Sequence, residues 1–176
     1  MTGPILHRRM AGMLAYLALG LAILFFRLMP LNPGIPGLPG ADLTLCLSLA
    51  WVLRRPDQLP ALAIVALLLT GDFLLGRPFG LWSFFVLIGT EVLRGRSQSW
   101  ADQAFLFEWL RIAALTGLLL VAHRLFMIVF LVPVPALGPV VLLWLATVAA
   151  YPLVVLVLHA IGVRRLSPAE LEMMVH

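Results

Sequence analysis

What most constrains this chain is the length of its apolar runs against the shortness of its polar breaks. Runs such as L-P-A-L-A-I-V-A-L-L-L-T (59–70) and V-V-L-L-W-L-A-T-V-A-A-Y (140–151) follow one another with little between them. A helix needs roughly 20 predominantly apolar residues to cross a hydrocarbon core of about 30 Å, and several runs supply that. The longest break, Arg94 to Gln103, is too short to fold alone, so no extramembrane catalytic or ligand-binding domain fits between the runs. Composition points the same way: 62% of the 176 residues are hydrophobic, 11% are charged, and mean hydropathy is +1.07. Such values lie outside the range of soluble globular domains, so any chemistry falls to the spans and their short connections.

A span-length window marks six runs in a single transmembrane domain (1–176), at about 10–29, 41–53, 59–75, 79–93, 104–131 and 138–163. The runs lack the two-residue alternation of barrel strands, and only helices otherwise satisfy their own backbone in lipid, so the expected class is all-α. The second and fourth runs cover only roughly 20 to 22 Å at a helical rise of about 1.5 Å per residue. A broken or re-entrant segment at 41–53 is therefore open.

Orientation is read from arginine, which accounts for all twelve basic residues. The pairs Arg8/Arg9, Arg54/Arg55, Arg94/Arg96 and Arg164/Arg165 fall at every second boundary, whereas the intervening connections contain only Arg77. By the positive-inside rule this predicts six crossings with both termini cytoplasmic. The same arrangement explains a pI near 10.6 without a nucleic-acid partner. H-R-R followed by a long apolar stretch, with no A-x-A site before Pro30, predicts an uncleaved first span rather than a signal peptide. The proline- and glycine-rich connections P-L-N-P-G-I-P-G-L-P-G and V-P-V-P-A-L-G predict tight outward turns. At the other end, S-P-A-E fits a capping box and predicts a short cytoplasmic helix over 167–176.

Small residues mark where helices approach closely. Ala11, Ala15, Ala18 and Ala22 repeat along the first span, and Ala113 with Gly117 form a small-x-x-x-small pair in the fifth. Packing inside one chain is the default expectation; a homodimer or another protein are the alternatives. The single cysteine, Cys46, sits in an apolar run as a small packing residue.

Ionisable residues near spans are the usual sites of function in membrane proteins. Sorted by depth, Arg27, Asp42, Asp72, Arg77, His123 and Arg124 fall in the outer half, and Glu91, Glu108, Arg111 and the arginine pairs in the inner half. Glu91 with Arg94, and Glu108 with Arg111, stand three apart on one helix face and predict local ion pairs. Arg124 lies about 10 Å from the middle of its span, within snorkelling reach of the interface. Asp72 is too short to snorkel and needs a partner or a proton. Arg77, five residues on, is turned about 140° away on a continuous helix, so a direct pair requires a break at Gly76; otherwise Arg27 or Arg124 supplies the partner. If Asp72 is such an interhelical tie, Asp72→Asn weakens the detergent-extracted assembly more than Glu108→Gln does.

Enzymatic patterns do not assemble. H-E-x-x-H and G-x-S-x-G are absent, E-W-L-R has one acid where a paired-glutamate protease needs two, and His123 and His159 stand in different spans. No catalytic, cofactor-binding or metal-ligating residues are expected.

The run A-D-L-T-L-C-L-S-L-A-W-V-L-R-R-P-D-Q-L-P-A, then G-D-F-L-L-G-R-P-F-G-L-W and G-T-E-V-L-R-G-R, resembles the rod shape-determining membrane protein family MreD in its alphaproteobacterial form. Further on, F-E-W-L, V-P-V-P-A-L-G and A-Y-P-L-V-V-L-V-L-H-A-I-G-V-R-R are similar to it as well, so the likeness runs from about Pro30 to Glu172. Ala41-Asp42 departs from the proline or glycine-proline expected before that aspartate. The resemblance implies a multi-pass protein of the bacterial inner membrane, with a fold like the six-helix substrate-binding subunit of energy-coupling-factor transporters. It implies a non-enzymatic scaffold that binds an MreC-type bitopic protein. Through that complex it supports an elongation transpeptidase and a RodA-type polymerase of lateral-wall peptidoglycan, with an MreB-type filament coupled indirectly. Two aspartate-arginine patches follow from it: Asp57 with Arg54 and Arg55, and Asp72 with Arg77. The alternative is a small-molecule transporter or its binding subunit, with Asp72, His123 and Arg124 lining an outward pocket.

Overall fold

A computed structural model describes residues 3–29, 40–97 and 103–163, with side chains from His7 onward. The expected tail helix at 167–176, the pair Arg164/Arg165 and most of the first outward connection lie outside the described residues.

The described chain is all-helical, with six helices: α1 (Gly3–Leu28), α2 (Leu43–Arg54), α3 (Ala61–Leu74), α4 (Leu81–Arg96), α5 (Phe105–Val129) and α6 (Leu137–Ala160). Three stretches, His7–Leu28, Phe105–Val129 and Leu137–Ala160, are long and apolar enough to cross a membrane. Within the segment at 41–53 the helix is unbroken from Leu43 onward, as α2.

α2 is the axis of the bundle. It packs against α1, α4 and α6, while α3 bridges α1 to α4 and α5 bridges α4 to α6. Every residue from Thr44 to Arg54 is buried, as a helix that is apolar all round must be. At 12 residues it is only about 18 Å long, half the length of α5 or α6.

Around this axis the polarity is that of a protein facing lipid. The buried residues of α5 and α6 include Glu108, Thr116, Thr147 and Tyr151. Their exposed positions are large and apolar, among them Leu118, Val121, Leu125, Leu145, Leu153 and Leu156. In water that arrangement would be inverted.

Close approach is provided by glycine rather than alanine. On α1, Gly12, Tyr16, Gly20 and Leu24 form the inward face; a Cβ on Gly20 would lie 2.2 Å from a Leu67 methyl of α3. Ala11, Ala15, Ala18 and Ala22 are all exposed, so the default expectation that this stripe packs within the chain is corrected. The stripe lies about 150° around the helix from the glycine face, which the core already uses. The Ala113/Gly117 pair does pack internally, beneath Trp144 of α6.

α5 and α6 are latched by two indoles. Trp144 Nε1 donates to the Ala113 carbonyl at 3.0 Å, and Trp109 Nε1 donates to the Val148 carbonyl at 2.9 Å. The second bond has a local cause. Pro152 lies inside α6 and has no N–H, so the carbonyl four residues earlier, that of Val148, loses its helical donor. Trp109 supplies one from the neighbouring helix.

Candidate functional site

The charged residues gather at the two ends of α2. At its N-terminus Asp42 caps the helix, accepting from the Leu45 N–H at 3.2 Å and the Thr44 hydroxyl at 2.6 Å. Negative charge there is favoured by the helix dipole. Two guanidinium groups close on the same carboxylate: Arg27, from the end of α1, at 3.6 Å and Arg77, from the α3–α4 turn, at 3.5 Å. From α6, Thr147 accepts the Asp42 N–H at 3.0 Å, and its carbonyl accepts from the Cys46 thiol at 3.3 Å.

Arg77 reaches Asp42 because α3 ends in a reversal. Gly76 adopts φ +62°, the Arg77 N–H donates to the Asp72 carbonyl at 3.0 Å, and the Gly76 N–H donates to that of Phe73. This is a Schellman cap, which needs a left-handed residue such as glycine. The chain does break at Gly76, but the break sends Arg77 to a different acid.

Asp72 itself is buried and, among the described residues, forms no ion pair. Its Oδ2 accepts from the Ser83 hydroxyl at 2.6 Å, the Gly80 N–H at 3.2 Å and the Ser83 N–H at 3.3 Å. These donors are the first turn of α4, whose own N-cap, Gly80, has no side chain. Asp72 therefore caps the next helix from outside, replacing the arginine partner expected from Arg27, Arg77 or Arg124. Arg124 donates instead to the Pro135 carbonyl across the α5–α6 connection.

At the other end of α2, Arg54 Nη1 donates to Glu108 Oε1 of α5 at 3.1 Å and to the Ala50 carbonyl at 3.0 Å. The Tyr151 hydroxyl of α6 donates to the same Glu108 oxygen. Three helices thus meet on one buried carboxylate. At this oxygen the contacts of Glu108 run between helices; Glu108 and Arg111, the latter half-buried one turn along α5, each have a further interaction. Glu91 pairs with Arg94 at 3.1 Å, and Arg94 also donates to the Pro56 and Leu59 carbonyls at 2.7 Å each, fixing the α2–α3 connection. Arg55 and Asp57 form no ion pair among the described residues; Arg55 Nε and Asp57 Oδ1 are buried there without hydrogen bonds.

Above the N-terminus of α2 lies a cavity of about 260 Å³. It exists because α2 stops short: α5 and α6 continue past Asp42 and leave a recess that no turn of α2 fills. Asp42, Arg77, Trp82, His123 and Arg124 supply its polar lining. His123 packs edge-on against Trp82, with ring centroids 5.3 Å apart. Asp72 is absent from this lining and Asp42 takes its place.

Sequence reasoning placed Asp42 among the outer charges without singling it out, and it missed Ser83, Trp82, Thr147 and Tyr151. A signal existed for Asp42, an acid followed by L-T-L at the start of an apolar run, which is an N-cap pattern. The others are reached only through packing of distant helices. No family model, curated protein or solved structure matches the chain.

Proposed function

We propose that this chain is a non-enzymatic membrane scaffold of the kind its sequence resembles. It crosses the bacterial cytoplasmic membrane six times with both termini inside, which puts the Asp42 cluster on the outer side and the Arg54–Glu108–Tyr151 cluster on the inner side. It binds an MreC-type single-span partner and through it supports the transpeptidase and RodA-type polymerase that extend the lateral wall. The observation that carries this reading is the outward face of α1. Ala11, Ala15, Ala18 and Ala22 stand exposed in a row, while the opposite face of the helix is fixed against α2 and α3. Small residues let a second membrane helix come within van der Waals range, the main source of helix association in lipid.

The test combines depletion with crosslinking. Depletion in a rod-shaped bacterium is expected to give rounded cells, and cysteines at Ala15 and Ala18 are expected to crosslink to the partner while one at Leu156 on α6 does not. Normal cell width together with no crosslink from α1 refutes the proposal. The recess favours a second reading, a small-molecule transporter or its binding subunit. Cells that keep their shape but lose uptake of one solute support that reading.

A further inference from the structure

We infer that the recess over Asp42 is a binding site for an amphiphile with an anionic head and a neighbouring hydroxyl. The inference rests on the recess alone and not on the scaffold reading. Its walls are apolar, formed by Leu120 and Met127 of α5 and Val140 and Leu143 of α6, so they suit a hydrocarbon body. Its polar end carries excess positive charge. Arg77 and Arg124 both line it, Arg27 also closes on Asp42, and Asp42 is the one acid among them. In a low-dielectric recess such an excess is stabilised by an anion held within reach of the guanidinium groups.

Two buried polar atoms that lack a hydrogen bond sharpen the assignment. Trp82 is 6% exposed and its indole N–H has no acceptor among the described residues. Asp42 is 2% exposed and its Oδ2, 3.5 Å from Arg77, accepts no hydrogen bond there. Buried polar atoms are seldom left without partners, and both of these belong to side chains that line the same recess. Neither atom has surface open to the recess, so an anionic oxygen beside the arginines reaches the Trp82 N–H, and a neighbouring hydroxyl reaches Asp42 Oδ2, only as those side chains turn toward it. A free hydroxy acid and the headgroup of an anionic glycerol lipid share that chemistry.

The full-length protein in phosphatidylcholine nanodiscs is titrated with alpha-hydroxyoctanoate, with octanol as the uncharged control. In a second arm the nanodiscs contain phosphatidylglycerol, and lipid retained on the protein is read by native mass spectrometry. Trp82→Phe keeps an aromatic side chain but removes the indole N–H together with part of the ring volume, so the melting temperature of the free variant is measured first and every ligand-induced shift is read against it. Arg124→Gln is the second variant. The hydroxy acid is expected to raise the melting temperature by about 4 °C at saturation, octanol to leave it unchanged, and each variant to weaken binding roughly tenfold. Retention of phosphatidylglycerol that is lost in Trp82→Phe supports the site with a lipid as its occupant. No shift and no retained lipid, an equal response to octanol, or undiminished binding in both variants overturns the inference.

Discussion

At the scale of single residues, the two acids that the sequence sets against each other exchange rank. Asp72 accepts from two amides and a hydroxyl, all neutral, whereas Glu108 holds a buried guanidinium and a tyrosine hydroxyl. Asparagine at position 72 keeps a carbonyl oxygen for the α4 amides and loses only the charge-assisted part of those bonds, about 1 kcal/mol. Glutamine at position 108 leaves Arg54 charged in a site with no counter-charge on Glu108, and breaking a buried pair costs about 3 kcal/mol or more. Thermal unfolding of the purified variants in one detergent is therefore expected to place Glu108→Gln well below Asp72→Asn, the reverse of the order that depth alone suggests. Asp72→Ala, which orphans two N–H groups, should fall between them. The reversal also marks what a sequence can say about charge. Spacing of three or four reports neighbours on one helix, which is why Glu91–Arg94 was legible. It carries no information about Arg54, which arrives at Glu108 from 54 positions away.

At the scale of helices, the boundaries were largely readable and the latches were not. Proline, glycine and the edges of apolar runs locate all six helices to within a few residues, apart from the start of α1, which begins at Gly3. The length of α2 was readable as well, but its consequence, a recess floored by an acid, depends on which helices surround it. The α5–α6 latch illustrates the same divide. Pro152 announces that one carbonyl lacks its donor, yet nothing in the sequence names Trp109 as the replacement. Trp109→Phe should cost about 1 to 2 kcal/mol by leaving the Val148 carbonyl unpaired. In a Pro152→Ala background the alanine N–H restores the helical bond, so the same tryptophan change should cost distinctly less. A double-mutant cycle on unfolding free energy reads that coupling, and simple additivity would refute the replacement account. Gly20→Ala belongs at this scale too. Its Cβ meets both Leu67 methyls at 2.2 and 2.7 Å, so the buried Leu67 must leave its rotamer or α1 must shift against α3, at about 1 to 3 kcal/mol.

At the scale of the whole molecule, a polar seam inside and a hydrocarbon surface outside leave the bundle suited to lipid, and α2 fastens it at both ends. Arg27 and Arg77 bring α1 and the α3–α4 turn to the N-terminus of α2, while Glu108 and Tyr151 bring α5 and α6 to its C-terminus. The α5–α6 connection belongs to the first end, because Pro135 and Arg124 line the recess above Asp42. The start of α5 belongs to the second, because Glu108 sits there. A six-crossing, termini-inside topology therefore requires that Leu131 and Ala104 face opposite compartments. Both are exposed, Leu131 to 92%, and the one native thiol, Cys46, is buried, so single added cysteines can be read without first removing it. In intact cells a membrane-impermeant maleimide should label Leu131→Cys and spare Ala104→Cys until the membrane is permeabilised. Labelling of both from outside would contradict a crossing by α5. Labelling of Ala104→Cys alone would invert the molecule, and with it the assignment of the Asp42 recess to the outer side.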